Sequence, residues 1–267
     1  ALLDRFDGQV MIVTGAARGL GAAFVDRLTA EGASVVAADI RPEVVEVAAN
    51  QSATVVPVVA DVSKVVDVER LVGEAFTRFG RIDVLVNNAG IFAITGPGAS
   101  LRDSLIVYDR LFAVNTRGAW LCGRAVIPTM IDQGSGHIVN VSTDHVLEPP
   151  HKPPKTSRWM DAYDATKWAL EGFTRVWAES LADRGIRVNA LSMGETDTPM
   201  LRDHVVDRTG SPVPEEVAAR WIEPAAVAGV LADLLAEGAG GRTGTNVGLW
   251  PELPVVLPPD TRSDPAA

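Results

Sequence analysis

Val10–Phe24, VMIVTGAARGLGAAF, reads as a strand, a glycine turn and the opening of a helix near Gly19. Within TGAARGLG the glycines divide the work. Gly15 permits the tight turn, Gly19 lets backbone N–H groups approach a pyrophosphate at the positive helix end, and Gly21 lets helix and strand pack closely. Asp39 ends the next apolar run at about 20 residues' distance, the spacing at which a carboxylate accepts hydrogen bonds from a dinucleotide's ribose hydroxyls. The same anion repels a 2′-phosphate by about 4 kcal/mol at ~4 Å and an effective dielectric of ~20. NAD is therefore favoured over NADP, with Arg18 and Arg41 pulling the other way because either could reach a 2′-phosphate.

Further short apolar runs follow at Ser34–Ala38, Val55–Val59, Ile82–Val86, His137–Ser142, Ile186–Leu191 and Thr245–Leu249, with amphipathic stretches between them. Near-continuous apolar strands mean burial on both faces, and alternation with helices means right-handed crossovers and a parallel, doubly wound α/β sheet. The 267 residues, 47% of them hydrophobic, are expected to form a single domain. A net charge of −10 argues against a nucleic-acid surface, which neutralises phosphates with Lys and Arg. One cysteine, Cys122, leaves no disulfide framework or multi-cysteine metal site and fits a reducing, cytoplasmic setting. ALLDRFDGQV lacks the order of a signal peptide, and no apolar run reaches membrane-spanning length. Two segments break the pattern, Glu148–Arg158 with four prolines and three basic side chains, and a proline-rich tail from Pro251; both read as loop.

Tyr163 and Lys167, in DAYDATKW, are one helical turn apart and share a face. Bringing a phenol from its ordinary pKa of ~10 to neutrality takes about three units, or ~4 kcal/mol. An ammonium at ~4 Å supplies that in a partly closed site and only ~1 kcal/mol in water. The expectation is thus an acid/base tyrosine whose proton affinity Lys167 lowers.

TGAARGLG, Asp61-Val62, NNAG at Asn87–Gly90, Asn115 in VNTRG, GHIVNVST at Gly136–Thr143 and YDATK at Tyr163–Lys167 stand in the order and approximate spacing of the short-chain dehydrogenase/reductase family. The resemblance covers about residues 6 to 250. It implies a Rossmann-like single domain and an oxidoreductase that interconverts a secondary alcohol and a ketone. By the same resemblance Gly15, Arg18, Gly19, Leu20 and Gly21 cradle the cofactor. Asp61 and Val62 meet the adenine, and Asn87, Ala89 and Gly90 hold the adenine-ribose side. Tyr163 is the acid/base, and Lys167 also binds the nicotinamide ribose. Asn115 bends its helix and holds a water in a proton relay, and Thr198 contacts the nicotinamide carboxamide.

The chain also departs from the family pattern. Where relatives carry the second serine of a Ser-Ser pair to hold the substrate oxygen, this chain has Thr143, preceded by Ser142. Adjacent strand residues face opposite sides, so Thr143 is the expected contact unless a bulge brings Ser142 round. Met193 replaces a proline after the sixth strand. Residues 144–160 form a longer substrate-side loop in which His145, His151, Lys152, Lys155 and Arg158 stand beside the pocket; an anionic substrate or a solvated surface would each explain the basic ones. Residues 195–221 form a lid, with Met200, Leu201, Val205 and Trp221 as apolar contacts or core. The four histidines show no metal-ligand spacing, and no metal is expected. A homotetramer follows from the resemblance, through the helices carrying Asn115–Met130 and Tyr163–Leu181, with Trp120, Leu121, Trp168, Phe173 and Trp177 as contacts. Two other readings stay open: a nucleotide-sensing protein without turnover, motivated by Thr143 and Met193 departing together, and an NADPH-dependent 3-oxoacyl thioester reductase.

Overall fold

Each of the seven apolar runs becomes a strand: β1 (Val10–Thr14), β2 (Ser34–Asp39), β3 (Val55–Val59), β4 (Val84–Asn87), β5 (Gly136–Val141), β6 (Ile186–Met193) and β7 (Asn246–Trp250). The computed structural model describes residues 4–49, 54–147, 159–251 and 253–256. All seven strands are parallel, in the order β3-β2-β1-β4-β5-β6-β7. β4 begins later than its apolar run because Ile82 leaves the ladder. Its N–H donates to Gln133 Oε1 and its carbonyl accepts from Gln133 Nε2, each at 2.9 Å.

The tail is not wholly loop. Leu253–Val256 forms β8, antiparallel to β7, with a register shift at Gly248/Trp250. The proline at 254 is compatible with this placement because an edge strand has an unpaired side.

The helices are α1 (Gly19–Ala30), α2 (Val44–Ala49), α3 (Val65–Phe79), α4 (Leu101–Leu111), α5 (Ala119–Gln133), α6 (Asp161–Leu181), α7 (Pro199–Thr209), α8 (Glu215–Ala218) and α9 (Pro224–Ala236). Strand alternation sorts the core into two layers. On one face Val13, Val35 and Val139 pack with Phe24 and Leu28 of α1 and Leu231 and Leu235 of α9. On the other Ile12, Val36 and Ile138 pack with Leu71 of α3, Val126 and Met130 of α5 and Leu181 of α6. Leu28 is fully buried, so truncation to alanine would cost about 2–5 kcal/mol. Among the described residues, no helix is long and apolar enough to cross a membrane.

β1 lies between β2 and β4, so the direction of winding reverses there. Ligands of open α/β sheets bind beyond the carboxyl ends of strands at such a switch point. Gly15 follows β1, Asn88 follows β4, Ser142 and Thr143 follow β5, and Gly194 follows β6, which gathers the motifs at one end of the sheet.

Candidate active site

The glycine turn is built as its residue types require. Gly15 has φ +67°, and a Cβ there would stand 2.8 Å from Ala89 Cα. A Cβ on Gly21 would collide with the Gly15 carbonyl, so α1 comes as close to β1 as it does only without one. The α1 N-terminus has no side-chain cap, which leaves its first-turn N–H groups for an anion. Leu20 packs against the first core layer. The carboxylate of Asp39 accepts from the N–H of Ala17 and of Arg41, each at 2.9 Å, so it is tied to the turn it was expected to serve. Arg18 points elsewhere: its guanidinium meets Asp203 on α7 at 3.5 Å, an exposed pair.

Of the two asparagines in NNAG, it is Asn88 that braces the turn. Its Nδ2 donates to the carbonyls of Thr14 at 2.9 Å and Gly15 at 3.1 Å, while Thr14 Oγ1 accepts from the N–H of Asn88 and Ala89. Asn87, expected at the adenine-ribose side of the pocket, faces the opposite side of the sheet. Its Nδ2 donates to Asn140 Oδ1 at 2.9 Å and to the Ala119 carbonyl at 3.2 Å, in a buried network that Asn140 continues to Thr174. The reason is the two-residue period of strands, which sends neighbours to opposite faces.

Asp61 keeps an 18% exposed carboxylate at the pocket rim, accepting from the N–H and hydroxyl of Ser63 and meeting Lys64 at 3.5 Å. Burial alone would raise its pKa, but the Ser63 bonds and Lys64 together hold it below the ordinary carboxylate value. Val62 is buried against Gly118. Gly90 lies beside both Asn115 and Lys167: a Cβ would stand 3.5 Å from Asn115 Oδ1 and 3.7 Å from Lys167 Nζ. Thr198 caps α7, and a Cβ on Gly19 would lie 3.5 Å from it.

Between α4 and α5 the chain winds as a π-helix over Phe112–Gly118, so the expected bend at Asn115 is a widened turn. The Asn115 amide, 1% exposed, is satisfied: Oδ1 accepts from the Ile91 N–H at 2.8 Å, and Nδ2 donates to the Ile91 carbonyl at 2.9 Å and to Thr166 Oγ1 at 3.1 Å. It therefore ties the segment after β4 to α6.

Tyr163, Thr143 and Lys167 converge, with the Thr143 hydroxyl close enough to the phenol to favour its ionised form. Ser142 Oγ, on the neighbouring residue, is buried without a hydrogen-bond partner. The electrostatics differ from expectation. Burial raises the Tyr163 pKa above the ordinary phenol value, and the charges of Asp164 and Asp144 push it further; the nearby Thr143 hydroxyl opposes them. Lys167 does not pair with the phenol. Its Nζ donates to the Val141 carbonyl at 3.0 Å, 5.8 Å from the Tyr163 ring centre, and burial pulls its own pKa down to about 8.

One substrate expectation moves and one keeps its place. Met193 is 7% exposed within the first core layer beside Leu249, so it packs the sheet end and does not line the pocket. His145 does stand at the site, its Nδ1 2.7 Å from Asp164 Oδ1 and its ring 6.4 Å from that of Tyr163. His151, Lys152, Lys155 and Arg158 lie outside the described residues, as does the tail from 257. Among the described residues no cluster of His, Cys, Asp and Glu is arranged to hold a metal. Phe92, Asp144 and Asp164 were not expected at the site. Asp144 and Asp164 are each adjacent in sequence to a residue that was, which is the signal that could have found them.

The features that meet here, an uncapped helix end under a glycine turn, a carboxylate at the second strand and the Tyr163 cluster, fit a nicotinamide dinucleotide. The model of the family described as short chain dehydrogenase matches residues 9–208. The chain is 35% identical over 258 residues to the 3-oxoacyl-[acyl-carrier-protein] reductase FabG of Thermotoga maritima, covering 92% of this chain and 97% of that protein. It is 34% identical over 242 residues to the 3-alpha-(or 20-beta)-hydroxysteroid dehydrogenase of Mycobacterium bovis, covering 90% and 87%. The crystal structure of a 3-ketoacyl-(acyl-carrier-protein) reductase from Brucella melitensis complexed with NADH superposes with a TM-score of 0.77 at 29% identity, over 92% of this chain and 98% of that one.

Proposed function

The chain belongs to the short-chain dehydrogenase family, and on that premise we propose that it is an NAD-dependent oxidoreductase interconverting a secondary alcohol and a ketone. The convergence of Tyr163 with the Thr143 hydroxyl at the carboxyl end of β5 carries this reading. Tyr163 is the acid/base: as phenol it gives a proton to the ketone oxygen in reduction, and as phenolate it takes the hydroxyl proton in oxidation. Thr143 holds the reacting oxygen. A bound nicotinamide dinucleotide supplies the hydride acceptor or donor. The glycine turn and Thr198 hold that cofactor, with Asp61 and Val62 at its adenine end and Lys167 at its nicotinamide ribose. Because burial and two carboxylates favour the protonated phenol, the protein's own groups suit the reducing direction at neutral pH.

Asp39 supports NAD, since its carboxylate lies against the glycine turn and Arg18 is turned toward Asp203. The NADH complex of the Brucella reductase is in keeping with it. The identity to the Thermotoga reductase favours a second reading, reduction of a 3-oxoacyl thioester with NADPH. We infer a cytoplasmic homotetramer. Trp120 and Trp168 are exposed, and an open groove of about 460 Å³ lined by Asp109, Phe112, Thr116, Trp120 and Phe173 lies over the outer α4–α6 face. Trp177, expected at that interface, is core, and Leu121 packs against the second core layer.

The test mixes the purified chain with NAD and a panel of cyclic and aliphatic secondary alcohols, then runs the corresponding ketones with NADH. Turnover that Tyr163→Phe abolishes while NADH still binds supports the reading. NADH binding without turnover of any candidate would replace it with the nucleotide-sensing protein. Tighter binding of NADPH than NADH, with turnover of a 3-oxoacyl thioester, would favour the second reading.

A further inference from the structure

Phe92, in the segment after β4, stands between two rings. Its centroid lies 4.8 Å from that of Tyr163 at an interplanar angle of 73°, and 4.6 Å from that of His204 at 74°, both edge-to-face. Tyr163 belongs to α6 and His204 to α7, so one half-buried phenylalanine touches the tyrosine and the segment expected to cover it.

That segment is an excursion closed at its base. The Asp197 N–H donates to the Ile222 carbonyl and the Ile222 N–H to the Glu195 carbonyl, each at 2.9 Å, and Thr196 bridges Ile222. Beyond the base α7 has no buried residue, so it is not anchored in either core layer. It meets the site through Thr198 beside Gly19, the exposed Arg18–Asp203 pair at 3.5 Å and the ring of His204 on Phe92. An edge-to-face ring pair contributes about 2- to 10-fold to an equilibrium. An exposed ion pair at that distance contributes little. The ring contact is therefore the specific hold between the middle of α7 and the Tyr163 side of the site, beside the bidentate Arg202–Asp197 pair that ties α7 to its own base.

We propose that Phe92 is a positioning residue that fixes the Tyr163 ring and seats α7 through His204, so that closure of the 195–221 segment and the setting of the phenol are coupled. The coupling bears on catalysis through the acid/base role proposed above, and the ring contacts exist without it.

The test follows amide hydrogen exchange in residues 199–209 of the full chain. Phe92→Ala and His204→Ala should each speed exchange about 2- to 10-fold. The double variant should go no further than the faster single one, and Asp203→Asn should change exchange less than about 2-fold. His204→Phe, which keeps an aromatic ring, should restore slow exchange, and Phe92→Leu serves where the alanine variant folds poorly. A second readout uses the fact that the chain has two tyrosines. In a Tyr108→Phe background phenolate absorbance reports Tyr163 alone, and Phe92→Ala should move its midpoint down toward the ordinary phenol value. Unchanged exchange in both single variants, additive effects in the double, or an unmoved Tyr163 midpoint would overturn the proposal. If the wild-type chain turned over no alcohol, the functional reading would fail, while exchange and titration would still decide this one.

Discussion

Lys167 Nζ donates to the carbonyl oxygen of Val141 at 3.0 Å, which fastens the amine of α6 to the end of β5. The lysine is thus held by the sheet, and burial makes its charge costly. Its pKa of about 8 lies below the ordinary lysine value, so at neutral pH the folded state carries a charge that the unfolded state holds more cheaply.

Lys167→Met should therefore abolish turnover yet stabilise the fold by about 1–3 kcal/mol at pH 7, net of the lost bond to Val141. The sign follows from proton counts. Between about pH 8 and the ordinary lysine value the unfolded chain binds more protons, so wild-type stability rises through that window and the variant's advantage shrinks. Urea denaturation at pH 7 and pH 10 reads both; a destabilised variant at pH 7 would refute the assignment.

Thr143→Val removes the hydroxyl beside Tyr163 while keeping the shape. A lost donor to a developing oxyanion costs about 10²–10³ in rate, and kcat/KM should fall by that order. Thr143→Ser should retain activity, and Ser142→Ala should stay within about 3-fold, because alternate strand residues face apart. If Ser142→Ala were the damaging change, the strand end would have to be bulged.

Asp39→Asn retains an acceptor for the Ala17 N–H and removes the charge. The ratio of NADPH to NADH dissociation constants should fall by about 10- to 1,000-fold, the upper end matching a repulsion of about 4 kcal/mol. Equilibrium titration with both cofactors measures it, and an unaltered ratio would remove Asp39 from cofactor choice.

Oxidation needs the phenolate and reduction the phenol. With burial, Asp164 and Asp144 all raising the Tyr163 pKa, oxidative kcat/KM should climb with pH throughout the neutral range and beyond it, while reductive kcat/KM stays level. An oxidative plateau already reached at pH 7 would contradict this.

The sheet was legible in the sequence because buried parallel strands are written as uninterrupted apolar runs, and the glycine turn because Gly15 and Gly21 meet backbone that leaves no room for a Cβ while Gly19 takes a positive φ. Thr143 was singled out by a local rule, the alternation of residues at the end of β5. Applied to NNAG, the same rule would have separated Asn88 from Asn87. The ring of Phe92 on Tyr163 was not legible, since it joins segments far apart in the chain and nothing in IFAITGPG marks it. The Tyr163–Lys167 spacing showed a shared helix face but not that Val141 would take the amine, because that depends on how α6 lies over β5. β8 was hidden by the prolines around it.

β8 runs back along β7 and takes up the outer row of amide and carbonyl groups that β7 would otherwise present. A chain cut before residue 253 would offer that row as a template for another molecule's backbone, on the flank of a sheet made of valine and leucine. With β8 in place, the outermost strand instead carries a proline at 254, which has no N–H to donate to a further strand.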